Sequence, residues 1–66
     1  MERQETVEYF VKAIVKGDPS RTNIESVGIY GDRTEEDARI IALGIRKRKV
    51  EQEGYDHAFV YRAVQI

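Results

Sequence analysis

Residues 34–54 read TEEDARIIALGIRKRKVEQEG, and the rest of the chain is organised around them. The stretch specifies one helix with its start and stop written in. Thr34 is placed to cap it, the hydroxyl accepting from the Asp37 N–H while the Asp37 carboxylate reaches back. Glu35, Glu36 and Asp37 put negative charge at the positive end of the helix dipole, and Arg46 to Lys49 put positive charge toward the other end. Gly54 supplies the left-handed residue that turns the chain out.

At about 100° per residue, Ala38, Ile41, Ala42 and Ile45 share one arc and form the expected core stripe. Ile40, Leu43 and Val50 fall on roughly the opposite side, with Lys47 among them. Single exposed apolar residues are common and need no explanation. In so short a chain, however, a second stripe reads as a contact surface for another copy or another protein.

Working outward, residues 6–16 (TVEYFVKAIVK) alternate like a strand. Val7, Tyr9, Val11, Ala13 and Val15 fall on one face, and Glu8, Phe10, Lys12 and Ile14 on the other. Residues 17–23 (GDPSRTN) are turn chemistry and predict a fairly long hairpin loop. Residues 23–31 (NIESVGIYG) predict a second strand with a bulge or close approach at Gly28. After the helix, residues 57–66 (HAFVYRAVQI) predict a third strand. Met1 to Glu5 is polar and expected to fray.

The element order is β-β-α-β in one small α+β domain spanning residues 1–66. The third strand is expected beside the first, giving a three-stranded sheet of order 2-1-3 with the long helix on one face. One helix covers only one face of that sheet. The other carries Phe10, Ile14 and the aromatic set of the last strand, and edge strands two and three offer strand addition as a second route to association.

Composition narrows the chemistry. A chain of 66 residues hides only about 60% of its unfolded surface, so its core is marginal. It has no cysteine, so disulfides and thiolate metal sites are excluded, and self-association is the staple that remains. With 11 basic and 12 acidic residues, the net charge of −1 supplies no global field for nucleic acid or membrane. No apolar run approaches a membrane span or a signal-peptide core, and a soluble cytoplasmic protein is the expectation.

Four site readings follow. Arg39, Arg46, Lys47 and Lys49 are the candidate phosphate contacts, although four consecutive cations on a helix splay around its circumference. Tyr9 or Phe10 beside Phe59, Tyr61 and Tyr30 could stack single-stranded bases. Glu35, Glu36, Asp37, Asp56 and His57 are the titratable groups near the junctions, but nothing pairs them with a nucleophile. Arg21 in the 18–22 loop could hold a phosphate but lacks a glycine-rich frame.

The reading that covers most of these residues is a non-enzymatic protein-binding or regulatory module without catalytic residues, metal or cofactor. It acts by occupying a surface, as a homodimer or on another protein. Phe10, Ile14, Ile40, Leu43, Lys47, Val50 and Tyr61 are its expected interface. Nucleic-acid binding through the basic helix or the aromatic sheet face is the alternative.

Overall fold

The computed structural model describes residues 6–29 and 31–65. The expectations for Met1 to Glu5, Tyr30 and Ile66 lie outside them. Strand β1 (Thr6–Val15) leads through Lys16 and Gly17 into β2 (Asp18–Gly28), then helix α1 (Glu35–Glu51) and strand β3 (His57–Gln65). The sheet order is β2-β1-β3, as the pattern predicts, and both pairings are antiparallel. The expected α+β architecture is the one observed.

Helix α1 starts where its sequence says. The Asp37 N–H donates to Thr34 Oγ1 and the Thr34 N–H to Asp37 Oδ2, both at 3.1 Å, which completes the capping box. At the other end Gln52 is the cap, and Gly54, at φ +80°, turns the chain so that the Tyr55 N–H reaches the Lys49 carbonyl.

The core forms where the Val7-to-Val15 face of β1 meets the helix. Tyr9, Val11, Ala13, Val27, Ala38, Ala42 and Ala58 are buried, with Val7, Ile45, Tyr55 and Val60 packed around them. The helix approaches through alanines, so it lies close to the sheet but shelters little apolar volume. Val11 is the largest fully buried side chain among the described residues.

Three expectations need correction. The predicted long hairpin loop is a two-residue turn, with Gly17 at φ +81°, and β2 begins at Asp18. The turn-forming residues Pro19 to Thr22 instead make an irregularity inside β2. The ladder shifts between the Ala13–Asn23 and Val15–Asp18 pairs, Ser20 donates to Asp18, and Thr22 Oγ1 donates to the Pro19 carbonyl. Gly28, predicted to mark a bulge or a close approach, pairs regularly with Glu8, so no bulge lies there. Lastly, the core stripe is Ala38, Ala42, Ile45 and Lys49, while Ile41 is exposed.

Lys49 joins that stripe because carboxylates meet its ammonium. Its Nζ lies 2.7 Å from Glu25 Oε1 and 3.0 Å from Glu53 Oε1, and 5.6 Å from the centre of the Tyr55 ring. The lysine stem fills the layer and the charge is paired at its rim. Among the described residues, no helix is long and apolar enough to cross a membrane.

Candidate functional site

With β1 in the middle, β2 and β3 each have an outer edge, and the two edges differ. The Asp56 N–H donates to the Ile14 carbonyl at 3.0 Å, and the Ala58 carbonyl accepts from Arg46 Nε at 2.8 Å. Given antiparallel alternation, these two bonds place the backbone polar groups of Ala58, Val60, Arg62 and Val64 on the outer side of β3. Arg46 covers the first of those carbonyls. The β2 edge is blunter. Pro19 has no N–H, the ladder is broken beside it, and the Gly28 carbonyl is taken by Arg33 Nη1 at 3.1 Å.

Beside the β3 edge runs a groove of about 500 Å³, with Leu43, Arg46, Lys47 and Val50 on one wall and His57, Ala58 and Phe59 on the other. Farther along, Leu43 stands level with Val60 and Tyr61. Helix phase explains which residues line it. Arg48 points toward β2 and meets Glu25 at 3.4 Å, whereas Arg46 points over β3, and Leu43 and Val50 share its side. Leu43, Val50, Phe59 and Tyr61 are 39%, 41%, 44% and 50% exposed.

The sheet face away from the helix carries a second apolar set. His57, Phe59 and Tyr61 follow one another along β3, with ring centres 6.2 and 6.5 Å apart. Phe10 pairs with Tyr61, Lys12 with Phe59 and Ile14 with His57. Phe10 and Ile14 are half-buried by these neighbours, with no layer over them among the described residues. Of the expected interface residues, the fold therefore gathers Leu43, Lys47 and Val50 on the groove wall with Tyr61 farther along, and puts Phe10 and Ile14 on the open face. Ile40 stands apart on the outer side of the helix, exposed. Phe59, expected on the open face with the aromatic set of the last strand, also lines the groove.

The cations of the helix are mostly engaged. Arg39 pairs with Glu36 at 2.8 Å, Arg46 with the Ala58 carbonyl, and Arg48 with Glu53 at 2.8 Å. Lys49, a predicted phosphate contact, is 4% exposed. Its pKa is raised, chiefly by the Glu25 hydrogen bond, so it is a fixed internal cation. Lys47 projects farthest, its ammonium 4.0 Å from Glu51.

The titratable groups near the junctions also have structural work. Asp56 Oδ2 accepts from the Lys16 N–H at 2.7 Å and so latches the end of β1. Glu35 Oε1 accepts from both Tyr9 and Arg62. Those bonds, Arg62 first, hold the Glu35 carboxyl below the usual range, while burial and then Glu35 push the Tyr9 phenol up. Among the described residues, no group of three or more His, Asp or Glu side chains is gathered so as to hold a metal.

The chain exposes 5100 Å², about 800 Å² more than the roughly 4,300 Å² that a folded monomer of this mass scales to. Its radius of gyration, 13.6 Å, likewise exceeds the about 11 Å of a compact domain this long. No family model, no curated protein and no solved structure matches this chain.

Proposed function

We propose that this chain is a small protein-binding module, not a catalyst, and that it self-associates and regulates or inhibits another protein by covering part of its surface. The observation that carries this reading is the exposed apolar row of Leu43, Val50, Phe59 and Tyr61 along the groove and open edge of β3. Apolar side chains aligned beside unpaired backbone groups are a contact surface in need of a cover. A second copy along that edge covers Leu43 and Val50, and the open sheet face, with the rings of Phe59 and Tyr61, remains for a further partner. A cysteine-free chain of this size fits a reducing compartment such as the cytoplasm.

Sedimentation of the wild-type chain beside the Ile40→Asp/Leu43→Asp double variant tests the reading. The wild type sediments above monomer mass and the variant shifts toward monomer, with circular dichroism unchanged. A wild type that stays monomeric at high concentration overturns self-association.

The strip His57–Phe59–Tyr61 favours one alternative, stacking of single-stranded nucleic acid on the open face. Lys12 is the cation that the pleat places within it. Retention on a single-stranded DNA column that falls steeply with salt would support this alternative.

A further inference from the structure

The geometry points to a specific self-complementary interface: β3 pairs antiparallel with β3 of a second copy about a two-fold axis at Tyr61, making one continuous six-stranded sheet. This rests on the self-association proposed above and names its surface.

The edges decide which strand is used. β2 is interrupted by Pro19 and the irregular ladder at one end and by Arg33 at the other. Beside the outward groups of Ile24 and Ser26 between them, the helix presents Arg48 and Lys49 paired to Glu25. β3 instead offers the outward backbone groups of Val60, Arg62 and Val64 beside the apolar groove. A two-fold axis at Tyr61 sets Val60 opposite Arg62 of the second copy, and Arg62 opposite its Val60, for about four new backbone hydrogen bonds. Arg46, on the Ala58 carbonyl, closes the ladder just beyond them.

The helices then fit. An axis normal to the sheet keeps both helices on one face, running antiparallel. Helix α1 lies over β1 and β3 more than over β2, so with strands about 4.8 Å apart the two helices stand about 10 Å from each other, the usual spacing of packed helices. Leu43, level with Val60 and Tyr61, meets Leu43 of the second copy, and the paired grooves close over Val50.

With Leu43 against Leu43, antiparallel packing sets Lys47 level with the Glu36–Arg39 ion pair of the second copy and Val50 level with its Glu36.

The natural absence of cysteine makes the test clean. Residues 61 of the two copies form a non-hydrogen-bonded pair with Cα atoms about 4.5 Å apart, within disulfide range. Tyr61→Cys is expected to become a covalent dimer under mild oxidation, while Ile24→Cys, on β2, is not. Should Tyr61→Cys disturb the fold, a mixture of Phe59→Cys and Ala63→Cys chains reads the same register, cross-linking with each other and not with themselves. A wild-type dimer in which Ile24→Cys cross-links, or in which neither the Tyr61 nor the Phe59/Ala63 variants do, overturns this interface and leaves self-association standing. A wild-type monomer overturns both.

Discussion

Tyr9 and Arg62 face each other across β1 and β3 and donate to the same oxygen, Oε1 of Glu35 at the start of the helix. These bonds join β1, β3 and the helix, three of the four elements that make the core, and they give the fold a pH signature. Glu35 is held low by Arg62 and then Tyr9, Glu53 by Lys49 and then Arg48, and Asp37 by Thr34. A carboxylate with a depressed folded pKa stabilises fully above its unfolded value, and that stability is lost as pH falls through the folded value. Thermal melts are therefore expected to be flat from neutral pH to about 5 and to fall progressively below about 4. Glu35→Gln should fall less steeply over the same window, and a wild-type slope in that variant would contradict the assignment.

Lys49 predicts an asymmetric pair of substitutions. Lys49→Met keeps the stem and removes the charge. Glu25 and Glu53 remain partly solvated and Arg48 still reaches both, so stability should change by less than about 1 kcal/mol. Lys49→Glu buries an unpaired charge between two carboxylates and should cost about 3 kcal/mol or more. Urea melts at neutral pH read both.

Ala42 faces the sheet with no exposed surface. Ala42→Leu has no room unless the helix lifts, and overpacking of this kind costs about 1–3 kcal/mol. Ile41→Leu, at an exposed neighbouring position, should be nearly neutral in the same melts.

Asn23 Oδ1 is buried without a hydrogen-bond partner among the described residues, on the helix side of β2 opposite Ala13. An unmet acceptor costs about 1–3 kcal/mol. Asn23→Val, which also favours the strand, should raise the melting temperature by roughly 4–8 °C for each kcal/mol recovered. A lower melting temperature would show that the amide is satisfied.

The helix and the sheet order were legible because each rests on local rules. Thr34 and Asp37 specify the cap, period-two alternation assigns the faces of β1, and a single crossover helix puts β3 beside β1. What sequence reasoning missed depends on neighbours distant in the chain. Pro19, Ser20 and Thr22 look like a loop because their side chains do bond the local backbone, yet long pairing carries β2 past them. Lys49 looks like a solvated cation until Glu25, 24 positions earlier, is brought beneath it. For the candidate site, helix phase located the stripe of Leu43 and Val50. Which strand edge lies beside it is settled by Arg46 meeting Ala58, a contact between elements that no local pattern encodes.

The irregular stretch at Pro19 to Thr22 bears on growth as well as on shape. Strands that are receptive on both sides can add copies without limit and end as fibres. Here β2 is interrupted at Pro19–Thr22 and regular only over residues 23–28, so a pair joined along β3 as proposed would turn shortened flanks to the solvent. Growth beyond two would meet that interruption, and straightening the Pro19–Thr22 stretch would be the change that lets it run on.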